Sequence, residues 1–168
     1  MLDLSSIAKD LFLQIILQDY GNFDAISIDP PVPLEEVCQA IGCSTKSLKK
    51  LNKMKMMFED YFAIKIENNY LSSLPVLIDN FSPSVNHIYK LVSSLCTNIN
   101  WNSEKEALSS IAESIADFYS TGPSLEQDKN CLLNMLKSNI YKPRDFGSSL
   151  PYKKVTGLPD LYKVFERC

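Results

Sequence analysis

Between Ser5 and Tyr20 apolar residues recur at helical spacing, with Ile7, Leu11, Phe12, Ile15 and Ile16 on one face. Ser5 or Ser6 supplies an N-cap and Gly21 stands just past the end, so the segment reads as a helix. Leu13 and Leu17 add to that face and give the helix more large apolar residues than a single buried stripe needs. Such a helix is covered on two sides, either inside a thick core of its own chain or by a second surface. The run Leu11 to Leu17 is too short for a bilayer, lacks a basic n-region and contains Gln14, so it is expected to be neither a membrane anchor nor a targeting signal.

Phe23, Ile26 and Ile28 suggest a short strand that Pro30, Pro31 and Pro33 stop before a helix opening with Leu34, Glu35 and Glu36 and ending near Gly42. A single helix from Ser44 or Thr45 to Phe62 aligns Leu48, Leu51, Met54, Phe58 and Tyr61 against a basic face of Lys46, Lys49, Lys50 and Lys53. Ala63 to Glu67, the turn Asn68-Asn69, and Tyr70 to Ile78 form a hairpin. Helical spacing returns from Ser84 to Asn98, and again from a Ser103/Glu106 capping box to Tyr119. Further on, Asp128 to Ile140 is expected to be helical, Tyr152 to Thr156 a strand, and Leu158 to Phe165 a last helix with Pro159 in its first turn. The fold class is α+β, with helices packed on a small, mainly antiparallel sheet.

With 168 residues, 45% of them apolar, the chain can bury a core without disulfides or a structural metal. Its 17 basic and 20 acidic residues leave a net charge of −3, which disfavours a stand-alone nucleic-acid binder. The five glycines stand singly, so there is no phosphate loop and nucleotide hydrolysis is not expected. Five scattered cysteines, an odd number, make a disulfide framework implausible and an intracellular location the expectation. His87 is the sole histidine and has no partner at i±4, which removes catalytic triads and His-rich metal sites. Cys38 and Cys43 lack a second ligand pair and read as core or loop thiols, and Cys96 and Cys131 as small buried hydrophobes. The lysine face is what any surface helix shows.

The final stretch, Leu158-Pro159-Asp160-Leu161-Tyr162-Lys163-Val164-Phe165-Glu166-Arg167-Cys168, closely resembles the C-terminus of the eukaryotic MutL homologue 1 family of DNA mismatch repair. Shorter resemblances follow in the right order: Leu11-Phe12 with Gln14, Asp19-Tyr20-Gly21-Asn22-Phe23, Asp60-Tyr61-Phe62, Leu74-Pro75 with Leu77 and Asp79-Asn80, Asn100-Trp101, and Phe118-Tyr119. Residues 40–55 and 146–157 carry no match.

The resemblance implies a MutL C-terminal dimerisation fold over residues 1–168, amino-terminally truncated, with the family's ATPase domain and linker absent from this sequence. It implies a nuclear, non-catalytic subunit that pairs with an endonuclease-bearing MutL homologue; the nuclease motif D-Q-H-A followed by E-R does not occur here. Cys168 would enter the partner's metal site in trans as a zinc ligand, the zinc being shared with the partner and not held by this chain alone. Leu161, Tyr162 and Phe165 would anchor the arm that presents it, while Phe12, Leu13 and Ile16 or their immediate neighbours would face the partner. Accessory repair proteins would dock short peptides near Trp101 and Glu104, and DNA would be engaged only through the assembled complex, with no membrane involved. Two readings from other classes stand beside this one: a thiol- or metal-dependent enzyme using Cys168, and a nucleic-acid-binding module using the lysine face.

Overall fold

The computed structural model describes residues 4–79 and 81–121, together with residues 130 and 134. The first helix, α1, spans Leu4–Gln18. Gly21 closes its exit with a φ of 77°, a left-handed backbone that suits glycine, and its N–H donates to the Tyr61 carbonyl at 3.2 Å. Within α1, Ala8, Leu11, Phe12 and Ile16 are buried, each at the i+3 or i+4 spacing that stacks residues on one helix face. That face packs along α6 (Glu104–Ser120), whose Ile111, Ile115 and Tyr119 are also buried. Phe12 sits in an aromatic cluster, 5.3 Å from Phe81 and 5.5 Å from Tyr119 between ring centroids. The Tyr119 hydroxyl, inside the core, donates to the Pro75 carbonyl and so satisfies its one polar atom.

The sheet has three antiparallel strands, β1 (Ala25–Pro33), β2 (Ile66–Glu67) and β3 (Tyr70–Pro75), with β3 in the middle. β2 and β3 form the expected hairpin: Asn68 and Asn69 take φ values of 49° and 65°, which asparagine tolerates better than most residues. β1 differs from expectation, since the prolines do not stop the strand. Pairing with β3 breaks between Ser27 and Val32, spanning a cis Asp29–Pro30 bond, and resumes with Val32 opposite Leu71. A strand at the sheet edge tolerates prolines because the outer side of its backbone has no ladder partner to lose.

Helix α2 (Leu34–Ala40) follows β1 directly and ends before Gly42, as its pattern predicts. The long helix expected over 44–62 is instead two, α3 (Thr45–Lys53) and α4 (Lys55–Phe62). At Met54 the N–H is shared between the Lys50 and Leu51 carbonyls, both at 3.1 Å, a tightened turn that lets the chain change direction. No glycine or proline marks this break. A hydrogen-bonded chain ties the region together: Asn52 Nδ2 donates to Asn69 Oδ1 at 2.7 Å, and Asn69 Nδ2 donates to Glu35 Oε1 at 2.8 Å.

A 3₁₀ turn at Val85–His87 leads into α5 (Ile88–Thr97), which buries Ile88, Leu91, Val92 and Leu95. α6 starts where the capping box places it: Ser103 Oγ accepts from the Glu106 N–H at 3.2 Å. The elements expected over 128–140, 152–156 and 158–165 lie outside the described residues, apart from helical assignments at 130 and 134. No helix among the described residues is long and apolar enough to cross a membrane.

Candidate functional site

The end of α1, α4 and the start of α6 meet around Tyr20. Its ring stacks on Tyr61 at 5.1 Å and meets Phe62 edge-on at 5.5 Å. Both partners lie on α4, so the turn at Met54, by fixing α4's direction, also positions this cluster. The Tyr20 hydroxyl is buried and has no hydrogen-bond partner among the described residues. Burial, then the nearby Tyr61 and Glu104, push its pKa up to about 12.

Two grooves adjoin this aromatic cluster, one lined by Tyr61 and the other by Tyr20. One, of about 440 Å³, is lined by Met54, Met57, Asp60, Tyr61, Trp101, Ser103, Glu104 and Ala107. The other, of about 550 Å³, is a shallower surface formed by Leu17, Tyr20, Glu104, Lys105, Leu108 and Ser109. Glu104 belongs to both. Trp101 and Glu104, singled out in the sequence, are therefore brought to one groove, with Met54, at the break between α3 and α4, and Met57 of α4 as its apolar lining. The ammonium of Lys50 lies 4.5 Å from the centre of the Trp101 ring, so one member of the basic face is engaged with an aromatic.

The residues expected at a partner surface divide. Phe12 and Ile16 are 0% exposed and belong to this chain's own core, which corrects their assignment to a partner-facing surface. The extra apolar stripe of α1 runs instead through Leu13 and Leu17, at i and i+4; Leu13 is half-buried and Leu17 is 45% exposed. This spacing was present in the sequence and identifies the uncovered side better than side-chain size does. Leu161, Tyr162, Phe165 and Cys168 lie outside the described residues.

Among the described residues, no group of three or more His, Cys, Asp or Glu is arranged to hold a metal ion. His87 is half-buried with its ring 6.4 Å from that of Tyr89. Cys38 and Cys96, read separately as buried thiols, are in contact, with their sulfurs 3.9 Å apart. Linear spacing gave no sign of that pairing.

The family model of the DNA mismatch repair protein Mlh1 C-terminus matches residues 1–168. The chain is 26% identical over 189 residues to a MutL protein homolog 1 of Schizosaccharomyces pombe, covering 100% of this chain and 28% of that relative. It is 24% identical over 216 residues to the DNA mismatch repair protein Mlh1 of Dictyostelium discoideum (100% of this chain, 24% of the relative). It is likewise 24% identical over 213 residues to DNA mismatch repair protein MLH1 of Saccharomyces cerevisiae (100% and 27%). The chain thus spans about a quarter of the length of the curated relatives it matches. A match over the whole sequence, on an α+β fold whose helix ends fall where the family-like segments Asp19 to Phe23 and Asn100-Trp101 stand, places this chain in the family of Mlh1 C-termini.

Proposed function

We propose that this chain acts in DNA mismatch repair as the docking half of a nuclear MutL heterodimer. The observation that carries this reading is the whole-chain match to the Mlh1 C-terminal family. The half-covered stripe Leu13 and Leu17 supports it, because apolar residues left open along a helix suit a partner better than water. The partner is a MutL homologue that carries the endonuclease site, and this chain completes no active site of its own. What it contributes there is a single thiolate, that of Cys168, a donor type that suits zinc. Leu161, Tyr162 and Phe165, the large apolar residues near it in sequence, would supply the contacts with the partner, so the thiol itself would add little to stability.

The test is coexpression with such a partner, followed by mass measurement of the complex and comparison of wild type with Cys168→Ala. Intact heterodimers with lower zinc content and slower nicking are expected from the variant. Equal metal content and equal nicking in an intact dimer would remove Cys168 from the shared site. Failure to form any heterodimer would remove the docking role.

A second role rests on the groove that Trp101 and Glu104 share with Met54 and Met57: it receives short peptides of accessory repair proteins. Apolar anchors fit the methionines and the Trp101 ring, and a Lys or Arg faces Glu104. Trp101 is the only tryptophan, so its fluorescence reports the groove directly. Accessory-factor peptides should change that emission, and Glu104→Ala should weaken their binding by about tenfold, as loss of a charged hydrogen bond does. Unchanged affinity would rule the groove out.

A further inference from the structure

Three of the five cysteines converge from parts of the chain that family resemblance leaves without a role. Cys38 comes from α2, Cys43 from the loop after it, and Cys96 from the last turn of α5. The sulfurs of Cys38 and Cys96 stand 3.9 Å apart, though the residues are 58 apart in sequence, and Cys43 lines the same cleft as Cys38. The Cys43 N–H donates to the Cys38 carbonyl at 2.8 Å, which holds the loop against the end of α2. All three are free thiols.

We propose that these residues form a thiol–disulfide relay that closes a Cys38–Cys96 cross-link between α2 and α5, with glutathione disulfide as oxidant. A disulfide has its sulfurs about 2 Å apart, so closure needs a shift of about 2 Å, within reach of side-chain rotation and slight helix movement. Access exists from two sides. Cys38 and Cys43 line a cleft of about 400 Å³ between α2 and α3 together with Lys49, and Cys96 lines one of about 250 Å³ together with Lys46 and Lys50. These lysines give the α3 cations a use: they attract an oxidant whose carboxylates outnumber its amines.

The order of steps follows from burial. Cys38 is 4% exposed, and burial pushes its thiol and that of Cys96 up, so neither ionises readily when first met by oxidant. The half-buried Cys43, at the cleft wall, attacks first. Its thiolate bonds to one sulfur of glutathione disulfide and releases one glutathione thiolate. Cys38 gives up its proton and attacks the Cys43 sulfur, expelling the second glutathione and forming Cys38–Cys43. Cys96, deprotonated in turn, attacks the Cys38 sulfur and returns Cys43 as a thiol. Two protein thiols are oxidised to one disulfide, and one glutathione disulfide is reduced to two glutathione molecules. The last exchange is favoured by the native geometry, which holds the Cys38 and Cys96 sulfurs 3.9 Å apart before any bond forms.

The test uses the full reduced chain in glutathione buffers of defined ratio, sampled by acid quench, differential alkylation and peptide mass mapping while circular dichroism shows the fold intact. A Cys38–Cys96 linked peptide should accumulate with Cys43 alkylatable. Cys43→Ser should slow that accumulation at least tenfold without changing the linkage reached. Cys96→Ser should stop the relay at Cys38–Cys43. Absence of the Cys38–Cys96 peptide from folded wild type, or its appearance at the wild-type rate in Cys43→Ser, would overturn the proposal.

Discussion

Phe12 and Leu17 belong to one helix and differ in what covers them, and a pair of substitutions should separate their roles. Phe12 is fully buried between Phe81 and Tyr119, with ring centroids 5.3 Å and 5.5 Å away. Phe12→Ala removes a ring whose burial contributes on the order of 3 kcal/mol, abandons two aromatic contacts and leaves a cavity where α1 meets α6 and cannot fully collapse. The combined cost should be about 3–5 kcal/mol, a large part of the stability of a domain this size. In melting followed by circular dichroism that corresponds to a drop of roughly 6–20 °C. Leu17 is 45% exposed, so Leu17→Asp should shift the melt by no more than about 2 °C, since substitutions at open positions cost little. It should nevertheless abolish association with the partner subunit, because it places a charge in an apolar stripe that the complex would bury. The reasoning fails if Phe12→Ala melts like wild type and loses only partner binding, or if Leu17→Asp collapses the fold. Either result would exchange the surface and core assignments of α1.

Three further outcomes are expected. Ser103→Ala should cost about 1 kcal/mol in urea denaturation by removing the acceptor of the Glu106 N–H, with little effect from Ser103→Asp, which caps equally well. Alkaline titration should show stability falling as pH rises from about 10 to about 12. Tyr20 ionises near 10 in the unfolded chain but only near 12 when folded, so the unfolded state loses its proton first and is favoured; Tyr20→Phe should make that part of the curve shallower, with the buried Tyr119 hydroxyl, which burial also pushes up, supplying the remaining slope, and an unchanged curve would contradict the burial of the Tyr20 hydroxyl. Asn69→Ala should loosen the hydrogen-bonded link between α2, α3 and the hairpin, costing about 1–3 kcal/mol, as unmet part-buried amides do, and the same substitution should cost less in an Asn52→Ala background than it does alone.

Helix ends in this chain were legible because local chemistry sets them. Ser103 at the α6 cap, Gly21 beyond α1 and the Asn68-Asn69 turn each act within a few residues, so sequence spacing carries the information. The break at Met54 was not legible, since Leu48, Leu51, Phe58 and Tyr61 keep one helical phase across it and no residue there forbids a helix. β1 was cut short because proline was weighed as a strand breaker, while its place at the sheet edge, a property of tertiary pairing, decides that it is tolerated. For the site, Trp101 and Glu104 were found as neighbours in sequence. Tyr20, Leu17, Met54 and Met57 were not assigned to it, because they reach it only after α1 and α4 have folded back beside α6. The contact between Cys38 and Cys96 is of the same kind, a meeting of distant segments that no local pattern encodes.

Lys50, resting 4.5 Å from the centre of the Trp101 ring, makes that indole a partition between two clefts, the one toward Cys96 already holding a cation. A positive charge on one side draws the ring's π density toward itself, so the other side attracts a second cation less strongly than a free indole would. An arginine arriving in the methionine-lined groove is therefore better served by the Glu104 carboxylate, leaving the indole as a wall for aliphatic or aromatic side chains. Neutralising Lys50 would invert this preference: with glutamine at that position the indole regains its appetite for charge, and the groove should come to favour peptides with a basic anchor over those with an apolar one.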